Sequence, residues 1–170
     1  MIDNVTLRSA TGADIPVVRE LHARSFAELA RDHHSEIEIT THVALIRSGE
    51  YADELIRANL AVAIDPKGRM VATAGWQAMR DRAATARIRK VFVDPGLARR
   101  GLGKLMVTDA EMRARRSGFQ NFFVRANINA VPLYRALGYR EIDSGVMMVG
   151  DGVALPVVYM EKTLPKGPGL

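Results

Sequence analysis

The stretch Lys90-Val91-Phe92-Val93-Asp94-Pro95-Gly96-Leu97-Ala98-Arg99-Arg100-Gly101-Leu102-Gly103-Lys104-Leu105 constrains this chain more than any other. It runs from an apolar strand through a tight loop into a helix. Leu102, Leu105, Met106, Ala110 and Ala114 follow at i, i+3, i+4 spacing, with Asp109 and Arg113 on the same face, so 101–117 reads as an amphipathic helix that Gly118 ends. Such a stripe must be buried against a layer, and the preceding strand supplies one. Glycine lets the backbone approach an anion without a side chain in the way. The free N–H groups of a helix start point at that anion, and the helix dipole adds attraction. Arg99, Arg100 and Lys104 bring charge to the same end. The segment reads as a phosphate cradle.

The neighbouring segments alternate in kind. Residues 5–8 read as a strand, 13–30 and 36–47 as helices, and 52–58 as a further turn or two. The runs 60–64 and 70–76 flank Asp65-Pro66-Lys67-Gly68-Arg69, a separator rich in turn formers, and so predict an antiparallel hairpin. A strand over 86–93 extends that meander. Residues 119–125 predict a strand and 129–137 a short helix, with Asn129 as its N-cap and Pro132 in its first turn. The segments 140–149 and 155–162 close a hairpin around Gly150-Asp151-Gly152. Strands first, then strand–helix–strand–helix–strands, gives a mixed α/β (α+β) sheet in one domain, 1–164, with 165–170 as a flexible tail rich in Pro and Gly.

Composition narrows the chemistry. The chain has no cysteine, which removes disulfides, thiolate metal sites and a thioester-forming nucleophile. No apolar run approaches the roughly 20 residues that span a bilayer. The polar Met1-Ile2-Asp3-Asn4 lacks a secretory layout, so a cytoplasmic protein without membrane contact is expected. The net charge of +5 is unevenly placed: 82–116 holds ten Lys/Arg against three Asp/Glu, while 28–54 holds seven Asp/Glu against two Arg.

Spacing decides between phosphate cradles. A Walker loop ending at Gly103-Lys104 needs glycine at 98 and Ser/Thr at 105, where the chain has Ala98 and Leu105. A dinucleotide fingerprint from Gly101 and Gly103 needs glycine where Met106 stands. Ala98-Arg99-Arg100-Gly101-Leu102-Gly103 instead resembles the pyrophosphate motif of the GNAT superfamily of N-acetyltransferases, Arg/Gln-x-x-Gly-x-Gly/Ala, with Ala98 departing at its first position. Upstream, Val91-Phe92-Val93-Asp94-Pro95 is similar to the family's strand end. Downstream, Asn129-Ala130-Val131-Pro132-Leu133-Tyr134-Arg135-Ala136-Leu137-Gly138-Tyr139 is similar to its second block, at the family's separation.

The resemblance implies a mostly antiparallel sheet of about seven strands with a parallel split pair, flanked by about four helices. It implies acetyl-CoA as acetyl donor, direct transfer to a primary amine of a small molecule, peptide or protein, no covalent enzyme intermediate, no metal, and room for a homodimer. Val91, Phe92 and Val93 would meet the pantetheine arm through backbone N–H groups, one of which would polarise the thioester carbonyl. Arg99, Arg100, Gly101, Leu102, Gly103 and Lys104 would hold the diphosphate, and Asn129 would contact the cofactor or cap its helix. Tyr134 would assist the departing thiolate; a thiol pKa near 8.5 against about 10 for tyrosine favours a donated hydrogen bond over full proton transfer.

Some positions stay open by type alone. His33, His34, Glu36 and Glu38 are candidate bases, set against a plain solvated helix start. Trp76, Met147 and Met148 read as core rather than site. The acidic 28–54 segment is expected over the acceptor mouth, favouring a cationic amine. Two other functions fit parts of the pattern: a non-catalytic coenzyme A sensor of the same fold, and a basic nucleic-acid-binding domain, although the stripe lacks the aromatic interleaving of a single-strand platform.

Overall fold

The separator Asp65–Arg69 forms the predicted hairpin turn in the computed structural model, which describes residues 4–165. Asp65 Oδ1 accepts the N–H groups of Lys67 and Arg69, both at 2.9 Å, and Gly68 supplies the positive φ of 80°. The turn joins β2 (Ala61–Ile64) to β3 (Met70–Ala78), with β1 (Thr6–Ser9) outside β2 and β4 (Thr85–Val93) inside β3, all antiparallel. β5 (Asn121–Asn127), β6 (Arg140–Gly150) and β7 (Val153–Thr163) complete a seven-stranded sheet of order β1-β2-β3-β4-β5-β7-β6. The last hairpin inserts its second strand beside β5 and leaves β6 on the edge.

Among the described residues five α-helices cover the sheet, one more than expected. α1 (Ile15–Leu29) carries Pro16 in its first turn, where a missing N–H leaves nothing unpaired. The Ser35 hydroxyl caps α2 (Glu36–Ile46) by accepting from Glu38 N–H. The additional helix is α3 (Gly49–Ile56), capped by Ser48 accepting from Tyr51 N–H; the few residues expected at 52–58 start a turn earlier because of that cap. α1, α2 and α3 pack a core of Val18, Phe26, Ile46, Leu55, Val62 and Leu155 on one sheet face.

α4 (Leu102–Arg116) packs the other face through Leu102, Met106, Val107, Ala110 and Ala114. Leu105, expected on the buried stripe, is instead 39% exposed, and Val107 takes its place. Arg113 turns away from the core to donate to the carbonyls of Asn59 and Ala74 while pairing with Asp109. Between β5 and β6, the helix expected over 129–137 is shorter: a 3-10 turn, Ile128–Ala130, precedes α5 (Val131–Ala136). Ala130 occupies the N-cap, so Asn129 does not cap this helix. Among the described residues no helix is long and apolar enough to cross a membrane. The expected tail, 165–170, lies outside the described residues except for Pro165.

β4 and β5 are the one parallel pair among the described residues, and they stay together only briefly. Pairing runs from Thr85 to Arg87 against Asn121 to Phe123 and then stops. Beyond Arg87 the strands part into a V. On its other side β4 remains paired with β3, though its register slips between Arg89 and Phe92. This slip is a β-bulge with Lys90 at φ 58°.

Candidate active site

The V exposes backbone donors by simple alternation. Asp94 N–H donates to the Val71 carbonyl at 2.8 Å, on the β3 side. Val93 and Val91, alternate residues on the same strand, therefore aim their N–H groups toward the side that β5 has left. The bulge has a second effect. Ile88 and Val91 pack toward α4, whereas both Arg89 and Lys90 reach Glu54 on α3, at 2.9 and 2.7 Å. Two consecutive side chains thus share one face, as an inserted residue requires.

A buried hydrogen-bond chain holds the bulge. The Thr73 hydroxyl donates to the Lys90 carbonyl at 2.7 Å; His22 Nε2 lies 2.7 Å from that hydroxyl, and His22 Nδ1 lies 2.7 Å from the Tyr51 hydroxyl. The imidazole stacks on Phe92 at 4.0 Å. Burial, then the charge of Lys90, lowers the His22 pKa and keeps the ring neutral.

One cavity of about 370 Å³ lies at the α4 end of the V, lined by Val91, Phe92, Val93, Arg99, Gly101, Gly103, Lys104 and Asn129. Its loop turns through positive φ at Arg99 (62°) and Gly101 (90°). Leu105 N–H makes the first helical bond to Gly101, at 3.0 Å, so the N–H groups of Leu102, Gly103 and Lys104 have no helical acceptor. A Cβ on Gly103 would stand 3.1 Å from Leu133, so a larger residue would crowd the cradle. Asn129 Oδ1 is buried without a partner in this wall, an acceptor free for a ligand N–H. A diphosphate and an amide-bearing arm fit these groups.

The second cavity occupies the V itself and shares Val91, Phe92, Asn127 and Ala130 with the first. Tyr134, His42, Tyr51, Arg87, Arg89, Lys90, Arg125 and Met147 surround it. Tyr134 is 5% exposed and meets Tyr139 edge-on at 5.4 Å; Tyr139 in turn donates to buried Glu111 at 2.8 Å. Burial pushes the Tyr134 phenol up, so it stays protonated and available as a donor. Burial, then Lys90, holds His42 at about 4. Burial brings Lys90 down to about 8 against the raising effect of Glu54.

The family model for an acetyltransferase (GNAT) domain matches residues 30–164. The chain belongs to the GNAT acetyltransferases. Membership makes it an enzyme that uses acetyl-CoA. A GCN5-related N-acetyltransferase from Rhodopseudomonas palustris is similar in fold, with a TM-score of 0.84 at 21% identity, covering 96% of this chain and 98% of that one. PaiA N-acetyltransferase from Thermoplasma acidophilum, in complex with coenzyme A, gives 0.75 at 16%, covering 95% and 99%. A phosphinothricin acetyltransferase from Sinorhizobium meliloti, in complex with AcCoA, gives 0.67 at 22%, covering 98% and 91%. A search among curated proteins finds no match.

Most of the expected residues of this GNAT acetyltransferase converge, with specific exceptions. Arg100 does not line the cavity at the α4 end, and the Leu102 side chain is buried in the core, leaving only its N–H at the helix start. Of the candidate bases, His33 lines the cavity at the α4 end; His34 is buried against Glu38 at 2.9 Å, and neither Glu36 nor Glu38 reaches the V. Met147, expected as plain core, lines the V and accepts from Arg125, whereas Met148 is 60% exposed.

The acidic 28–54 segment does not turn its carboxylates, Glu54 apart, toward the acceptor side. The segment reaches the V through His42 and Tyr51, but Glu54 is its one carboxylate in these walls, where cations dominate. Sequence reasoning missed this basic wall, although its signal was present: Arg87 and Arg89 alternate with Ala86 and Ile88, which places two charges on one face of a central strand.

Proposed function

We propose that the enzyme transfers the acetyl group of acetyl-CoA directly to a primary amine while both substrates are bound. The joined cavities carry this reading: a phosphate-type cradle at Arg99–Lys104 and an acceptor space beyond the V share Val91, Phe92, Asn127 and Ala130. The N–H groups of Val91 and Val93 hold the pantetheine arm and stabilise charge on the thioester oxygen. The amine nitrogen attacks the carbonyl carbon, the C–N bond forms and the C–S bond breaks. The nitrogen loses one proton to solvent, and the departing thiolate is stabilised by the hydrogen bond that Tyr134 donates, taking its own proton from solvent on release.

Among the described residues the V offers no strong base. His42, held at about 4, is neutral but takes up protons poorly at neutral pH. The cations do the work instead: positive charge around an ammonium disfavours that form and lowers its pKa. Calorimetry with coenzyme A and thiol release across an amine panel test the reading. Binding together with amine-dependent release supports it; binding without release from any amine sinks it.

A further inference from the structure

Beyond the V the wall holds more positive charge than acetyl transfer by itself requires. Arg87, Arg89, Lys90 and Arg125 line the V, and the three arginines continue into a groove of about 550 Å³ that adds Arg57 and Arg80. Glu54 is the single carboxylate in the lining of either cavity. It is shared by Arg89 and Lys90. Arg125 donates only to the Met147 sulfur, and Arg87 makes no side-chain hydrogen bond among the described residues; its Nε is buried without an acceptor.

Unpaired cations side by side in a half-buried wall repel one another and lose solvation. The expense is offset when a ligand brings the missing anion. The coenzyme phosphates do not supply it, because their cradle lies at the opposite mouth, around Gly101 and Gly103. The anion must come with the acceptor.

We propose that the acceptor is an amine that carries its own carboxylate, an amino acid or a compound of that chemistry, with Arg87 and Arg125 gripping the carboxylate. This rests on the acetyl-transfer reading above. A guanidinium matches a carboxylate in a two-pronged fork, which fixes orientation as well as charge. The grip leaves the amine free to point along the V toward Val91 and Val93.

The test compares amino acids with their own amides, and with a simple diamine, at saturating acetyl-CoA, reading kcat and KM by thiol release. The acid form should exceed its amide by about tenfold or more in kcat/KM, the size of a lost charge-assisted hydrogen bond. Arg87→Gln and Arg125→Gln should each narrow that ratio, chiefly through KM, and Arg125→Lys should retain part of it. Amides or the diamine matching the acids would overturn the proposal and leave acetyl transfer standing. Coenzyme A binding with no amine acetylated would overturn both. If the variants fail to fold, the acid-to-amide ratio of the unaltered enzyme still decides.

Discussion

Lys90 Nζ lies 2.7 Å from Glu54 Oε2 and 3.7 Å above the Tyr51 ring. One short ion pair and one aromatic face hold a lysine whose side chain is only 10% exposed. Burial still wins, and its pKa falls from 10.5 to about 8. Between those values the unfolded chain binds a proton that the folded chain lacks, so stability rises with pH across the window. Below about 8 the penalty is present in full, at most about 3 kcal/mol. Thermal melts from pH 7 to about 10, below the range where the raised Tyr134 phenol reverses the trend, should show the rise in the native enzyme, and Lys90→Met should reduce it.

Tyr134→Phe keeps the ring that packs on Tyr139 and removes only the donor. Acetyl-CoA affinity should hold within about twofold while kcat falls by about 100-fold, the lower range for a positioned proton donor. Turnover at the native level would remove Tyr134 from the reaction.

Gly101 adopts φ 90° where the loop enters α4. Alanine there strains the backbone by roughly 1 kcal/mol and turns the cradle amides off target. Gly101→Ala should weaken coenzyme A about tenfold by calorimetry, with a smaller loss in Tm.

Gly75 has a different constraint. A Cβ there would sit 2.2 Å from the Ala58 carbonyl oxygen, which accepts the Trp76 N–H at 2.8 Å. Backbone on both sides cannot give way easily, so Gly75→Ala should cost about 2 kcal/mol or more in denaturant unfolding. Native stability in that variant would mean that β3 can shift.

Local signals carried most of the fold into the sequence. The Asp65–Arg69 turn, the glycine-led start of α4 and the alternating strands follow from short-range chemistry, and the structure has all three. The acceptor wall was less legible because it is assembled across distance. Arg87 and Arg125 stand on strands that diverge, Glu54 arrives from a helix more than thirty residues away, and the bulge at Lys90 changes which face a side chain takes. Counting charge along the segment put acid over that mouth. Charge along a chain does not say where a strand turns its side chains.

The chain of groups from Tyr51 to Lys90 has one polarity. The Lys90 carbonyl can only accept, so the single hydroxyl proton of Thr73 is committed to it. His22 must then present N–H at Nε2 and a lone pair at Nδ1, which only the Tyr51 hydroxyl answers. A phenol on α3 thereby selects the tautomer of an imidazole on α1, and that tautomer latches the kinked backbone of β4. Two helices thus share in fixing where the backbone N–H groups of Val91 and Val93 aim.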